Sequence, residues 1–274
     1  MTDQTSQKIL TGPQEDRLFV KLPFASLLAG GLEYFVEHGL QPEICFEADQ
    51  VNRMGTEQMV PLAQTLRNAN LRCTVHAPFN GLDFGALDAD RMAWTRQSLD
   101  RTLLLCRELA PVTVVVHGGQ PRFQSSAEYE RWNERALPLL QTTAQQAQDQ
   151  GTRVVLENIC HTRPEQLAPL LEKLDGLAGW CLDVGHWHVF GREPISRWAK
   201  ILGSRLEQLH LHDNHGGADE HLAVGQGSIE FHQVLGTLAE TGPVHTPPVV
   251  TLEVPYQTGV EPSLRALAPV WPWG

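Results

Sequence analysis

Eight short runs of β-branched and apolar residues recur along this chain, each followed by a stretch with helical spacing. That alternation is the strongest constraint on its fold. The runs are LFVKLPF from Leu18, EICFEA from Glu43, LRCTVHA from Leu71 and VTVVVHGG from Val112. RVVLENI from Arg153, WCLDVGH from Trp180, LEQLHLHDN from Leu206 and PVVTLEV from Pro248 complete the set. Between them, segments such as Arg91–Leu109 and Glu128–Gln150 repeat apolar residues at helical intervals. Strand alternating with helix builds a parallel sheet, and eight such units in 274 residues match the size of a (β/α)8 TIM barrel. No G-x-G-x-x-G follows the first run and no Walker A motif exists, so a doubly wound nucleotide-binding sheet has no support. No Ser/Gly linker or charge block divides the chain. The expectation is a single barrel domain over residues 17–274, preceded by a frayed polar segment, 1–16. The Pro- and Trp-rich end, APVWPWG, is expected to pack across the barrel.

The ends of these runs carry the chemistry. Strand two ends at Glu47, strand three at His76 and strand four at His117. Strand five carries Glu157, strand six Asp183 and then His186, strand seven His210 and His212, and strand eight Glu253. Barrel enzymes place their functional groups at the C-terminal strand ends. Side chains two apart share a side of a strand, so His210 and His212 both point inward while Leu211 faces the helices. A single histidine at one strand end is commonly a satisfied structural residue, and a lone Glu157 could pair with Arg153. Six strand ends aiming imidazoles and carboxylates at one mouth are another matter, because unpaired buried charge is costly. A divalent ion resolves that cost. Imidazole with carboxylate suits zinc, manganese or iron, and the absence of cysteine ligands argues against a structural zinc site. His38, His232 and His245, in helical patterns and a loop, are expected to be surface residues.

Composition narrows the partners. Lys+Arg total 21 against 32 Asp+Glu, a net charge of −11. Binding to a polyanion is therefore disfavoured, since nucleic-acid affinity comes from neutralising phosphates. The five cysteines form no C-x-x-C pair and read as reduced core residues of a cytoplasmic protein. The first ten residues show no signal-peptide pattern, and no apolar stretch approaches the roughly 18–20 residues that span a membrane. A small-molecule substrate is the expected partner.

With VVLEN, CLDVGH, LHLHDN, DEHLAVGQG and TLEV read in that order, the chain resembles the xylose isomerase-like TIM barrel superfamily. This superfamily joins endonuclease IV-like enzymes (AP endonuclease family 2) with sugar isomerases and epimerases. The resemblance runs from about Leu71 to Val254. In the mononuclear sugar epimerases it implies one metal on Glu157, Asp183, His210 and Glu253. In the endonuclease-like branch it implies three ions. His76, His117 and a bridging Glu157 would hold the first. Glu157, Asp183, His210 and Glu253 would hold the second, and His186, Asp219 and His221 the third. All nine positions carry the right residue type. Two features depart from the DNA enzymes. Gly-Gly-Gln follows His117 where they have Pro-Gly, and Glu220 stands where they carry Arg.

The three-ion resemblance leads to a main expectation: a zinc-dependent phosphodiester hydrolase acting on a small organic, nucleotide-like or cobamide-type substrate. Glu157, Glu253 and His186 would be catalytic. Glu47, Trp187, His188, His212 and His215 would contact substrate, with Asp213 as a further candidate. The alternative is a sugar or sugar-phosphate isomerase or epimerase with one metal, in which Glu157 and Glu253 act as an acid/base pair. Cleavage of abasic DNA ranks below both. Specificity is expected in the loops Phe79–Leu87, Gly118–Ser126, Trp187–Arg192 and Asn214–Glu220.

Overall fold

In the computed structural model, residues 17–119, 126–241 and 247–273 are described. The expected frayed segment 1–16, most of the Gly118–Ser126 loop and His245 lie outside them. Eight strands close into a parallel barrel in sequence order: β1 Leu18–Pro23, β2 Gln41–Cys45, β3 Thr74–His76, β4 Thr113–His117, β5 Arg153–Glu157, β6 Ala178–Asp183, β7 Leu206–Leu211 and β8 Val249–Leu252. Each of the eight runs read from the sequence contains one of these strands or most of it. The long helical segments are Ala89–Leu109 and Ser126–Asp149, and further helices follow the other strands. Among the described residues no helix is long and apolar enough to cross a membrane.

Strand parity sorts the side chains into two layers. Outward residues such as Val20, Ile44, Val75, Val116, Leu156, Leu182, Leu211 and Leu252 belong to the main apolar core shared with the helices. Trp180 on β6 stacks on Trp198 of the helix Ile195–Leu202, ring centroids 6.2 Å apart. Inward residues are different. Val115, Val155 and Cys181 form a small apolar plug of their own, beside a buried polar layer of Glu43, Thr74, Thr113, Gln208 and Thr251. The inner space of a small barrel is filled by such layers. Four of the cysteines are buried, and all five are free thiols. Trp271 and Trp273 pack half-buried on the main core.

Register carries the strand-end residues to one rim. Cys45 pairs with His76, His117 with Glu157, and Asp183 with His210. His210 is in turn opposite Thr251, two residues before Glu253.

Candidate metal centre and acid/base site

Glu157, Asp183, His210 and Glu253 offer ligand atoms that all lie within 4.8 Å of one another. His210 sits at the middle. Its Nδ1 is 2.7 Å from Glu253 Oε1, 3.5 Å from Glu157 Oε1 and 3.9 Å from Asp183 Oδ2. All four residues are buried. Yet Asp183 Oδ2, His210 Nδ1 and Glu253 Oε1 find no hydrogen-bond partner. Their lone pairs converge without being aimed at one another. Buried polar atoms are rarely left so, and a cation shared among three carboxylates and an imidazole satisfies them together.

Local structure explains how each group is held. β5 ends at Glu157, and the next residue, Asn158, clamps Asp183 through both backbone groups. Asn158 Nδ2 donates to Asp183 O at 2.9 Å, and Asp183 N donates to Asn158 Oδ1 at 3.0 Å. Asp183 also caps the turn Val184–Phe190, its Oδ1 accepting from the His186 amide at 2.6 Å. Gly185 is required by space: a Cβ there would lie 2.0 Å from His212 Cε1. His212 reaches Asp183 Oδ1 at 3.2 Å and stacks on His221, centroids 4.0 Å apart.

Further imidazoles surround this centre. His76 Nε2 and His117 Nε2 lie 3.1 and 3.5 Å from Glu157 Oε2. His186 Nε2 lies 3.3 Å, and His221 Nε2 3.1 Å, from Asp219 Oδ2. His76, His186 and His221 each donate Nδ1–H to a backbone carbonyl, those of Ala77, Asn158 and Glu253. Their Nε2 atoms therefore face carboxylates, the orientation of metal-ligating imidazoles. His221 holds this position with φ at 53°, a left-handed conformation uncommon outside glycine. His76 with His117 and Glu157, Asp183 with His186 and His212, and His212 with Asp219 and His221 are further groups of metal-ligand type.

The other sequence candidates fall elsewhere. Glu47 is exposed at the start of the helix Ala48–Arg53 and forms a capping box with Gln50, while lining a cavity at the mouth. Trp187 donates Nε1–H to Glu193 O at 3.1 Å, and His188 pairs with Asn214 at 2.8 Å. Both line an outer groove between the helices Ile195–Leu202 and Phe231–Thr241. His215 is exposed and bonded to Glu220 at 3.0 Å. Asp213 anchors the following loop from beneath. The structure adds two groups that sequence reading passed over. Lys21 Nζ lies 2.6 Å from Glu253 Oε2, and Glu43 lies under His210 at 3.2 Å. Inward parity on β1 and β2 was the signal for both. The mouth cavity, about 350 Å³, is lined by Lys21, Glu47, Phe79, Asn80, His221 and Glu253 among others.

Electrostatics follow from this crowding. Burial pushes His210 down, but the neighbouring carboxylates of Glu43, Glu253 and Glu157 override it and hold it well above the imidazole range. His186 is raised against burial in the same way, chiefly by Asp183. Burial takes His117 down to about 3 against the pull of Glu157, so it stays neutral. Glu157 and Glu253 are held well below the carboxylate range against burial, Glu157 by His210 and His117, Glu253 by Lys21 and His210. In the metal-free protein, the stability from the raised imidazoles is fully present below the ordinary imidazole value. It is lost as pH rises through their raised values. The stability from the lowered carboxylates is present above the ordinary carboxylate value and lost as pH falls through the lowered ones. Zinc uptake must displace the imidazole protons, so affinity should rise with pH, about tenfold per unit for each proton displaced. Calorimetry in buffers of different ionisation enthalpy counts those protons; an affinity flat from acid to neutral pH would contradict the assignment of His210.

Known proteins place this barrel among relatives. An uncharacterized protein of Methanocaldococcus jannaschii, MJ1311, is 28% identical over 230 residues, covering 78% of this chain and 76% of that protein. The TTHB071 protein from Thermus thermophilus, whose crystal was soaked with zinc chloride, superposes with a TM-score of 0.75. It is 27% identical, and the match covers 93% of this chain and 97% of that one. A D-tagatose 3-epimerase-like protein also reaches a TM-score of 0.75, at 24% identity and covering 91% and 94% of the two chains.

The expectation of a phosphodiester hydrolase is corrected by these comparisons, because the similar barrels named for a reaction are sugar epimerases. The physical reason is that imidazole and carboxylate can satisfy one another by hydrogen bonding as well as by sharing an ion. Nine residues of ligand type therefore do not count ions and do not specify phosphoryl chemistry. A family model for xylose isomerase-like TIM barrels matches residues 33–270, and the chain belongs to that family.

Proposed function

We propose that this protein is a divalent-metal-dependent isomerase or epimerase of a small sugar. The observation that carries the reading is the pair of buried carboxylates, Glu157 on β5 and Glu253 just beyond β8, converging on the same nitrogen of His210 at 3.5 and 2.7 Å. Glu157, Asp183, His210 and Glu253 would hold one ion, zinc, manganese or iron by their donor chemistry. When bound, such an ion polarises a carbonyl and its neighbouring hydroxyl, which acidifies the carbon–hydrogen bond beside them.

The chain's own residues then divide the work. One carboxylate removes the proton from that carbon, and the other returns a proton to the opposite face (epimerisation) or to the neighbouring carbon (isomerisation). The two are not equivalent. Glu253 Oε2 is neutralised by Lys21, whereas Glu157 Oε2 faces His76 and His117. Phe79 stacks on His117 with centroids 5.0 Å apart and lines the mouth cavity beside Lys21 and Asn80. This gives an apolar wall with polar ends, suited to a sugar ring or chain. Metal-loaded protein incubated with ketohexoses in deuterium oxide should yield an epimer or isomer carrying solvent deuterium at the reacting carbon. Absence of both product and exchange across a panel of free and phosphorylated ketoses would remove the proposal.

A further inference from the structure

Beneath the four-residue centre lies a charged group to which no role in the reaction has been given. Glu43 is fully buried on β2. Its Oε2 accepts from three donors: Thr74 Oγ1 at 2.9 Å, Thr251 Oγ1 at 2.9 Å and Gln208 Nε2 at 2.7 Å. Gln208 is itself fixed, its Oε1 accepting from Thr113 Oγ1 at 2.6 Å. The second amide hydrogen of Gln208 is taken by Thr251 Oγ1 at 3.1 Å, whose own hydrogen goes to Glu43. That leaves Glu43 Oε1. It has no hydrogen-bond partner, yet it lies 3.2 Å from His210 Nε2; Gln208 Nε2 approaches the same nitrogen at 3.1 Å, but both of its hydrogens are already committed to Glu43 Oε2 and Thr251 Oγ1.

We infer that Glu43 is a positioning residue that keeps the proton of His210 on Nε2, so that the Nδ1 lone pair faces Glu157, Asp183 and Glu253. Three other imidazoles of the mouth, those of His76, His186 and His221, donate to backbone carbonyls. His210 is turned the opposite way, with a buried carboxylate in the carbonyl's place. A carboxylate without solvent and with one oxygen otherwise bare demands a proton between it and the nearest nitrogen. Carboxylates in this position also strengthen the ligand they orient. Glu43 touches neither substrate nor ion; it acts through His210.

The inference rests on the four-residue metal site proposed above, and Glu43→Gln tests it. The three donors around Oε2 would hold the new amide oxygen there, and the amide nitrogen would then face His210 Nε2 as a donor. The imidazole must answer by placing its proton on Nδ1, where the ion should bind. Zinc affinity, read by chelator competition, should fall about 10–100-fold. Thr113→Val disturbs the same layer one bond further out and should leave zinc affinity within about threefold. In nitrogen-15 spectra of the zinc-loaded unsubstituted protein, the His210 Nε2 proton should be shifted downfield and protected from exchange. Equal zinc affinity in E43Q and the unsubstituted protein overturns the role of Glu43, as does an equal loss in T113V and E43Q. If E43Q does not fold, the spectrum of the unsubstituted protein decides: an unprotonated or freely exchanging Nε2 overturns the inference. No zinc uptake by the unsubstituted protein overturns the metal site and this inference together.

Discussion

Glu157→Gln should lower the proposed sugar isomerisation or epimerisation by about 10²–10⁴-fold, the range of a lost general acid or base. The effect is large because both oxygens are in use. Oε2 faces His76 and His117, while Oε1 faces His186 and His210. An amide can neither take up the proton nor lend a negative charge to a shared ion, so both roles of the side chain are lost together. The side chain is buried at the end of β5, and the volume is unchanged, so the fold should persist. The measurement is the rate of product formation alongside solvent deuterium uptake, at saturating zinc or manganese, with the metal content of the variant determined. Activity within tenfold of the unsubstituted protein would remove Glu157 from the reaction. Glu253→Gln should act in the same direction, since it also frees Lys21 from its 2.6 Å partner.

Asp213→Ala should be the most damaging single change to stability, by about 3–5 kcal/mol, because buried donors left unpaired cost about 1–3 kcal/mol each. The Asp213 carboxylate is fully buried. It accepts from the amides of Asn214 at 2.9 Å, Gly225 at 3.0 Å and Ile229 at 3.2 Å. Its backbone also pairs with Leu222 in both directions, at 2.8 and 2.9 Å. These bonds fold the DEHLAVGQG loop back onto β7 and carry Asp219 and His221 to the mouth. Gly227 fits only because it has no Cβ, which would stand 2.3 Å from the same carboxylate. The melting temperature should drop by on the order of 10 °C, with Asp213→Asn intermediate because the amide keeps one acceptor. A melting temperature unchanged within about 2 °C would show that the loop is held by other contacts.

The fold was readable for a definite reason. Strands of a parallel barrel are buried on both faces and stand out as short apolar runs, so each of the eight runs overlaps one observed strand. Polar residues at the ends of such runs stand out equally, which is how Glu157, Asp183, His210 and Glu253 could be named. Glu47 illustrates where the signal fails. EICFEA reads as one strand ending at Glu47, but β2 stops at Cys45 and Glu47 begins the next helix. The carboxylate inside the barrel is Glu43, at the start of that run, and its partners come from β3, β7 and β8. Trp187 and His188 show the same limit. They follow the DVGH turn by one and two residues, and helical rotation carries them to the outer groove.

Periodicity pointed to the parallel barrel and its eight strands, and the motifs in their order carried the resemblance to the family, because period and residue type are local properties that survive without knowledge of contacts. Only the tertiary structure decided which atoms meet. Lys21 against Glu253, and Glu43 beneath His210, join residues far apart in the chain, the first pair by 232 positions. Barrel closure and strand register create them, and neither is written in any one segment.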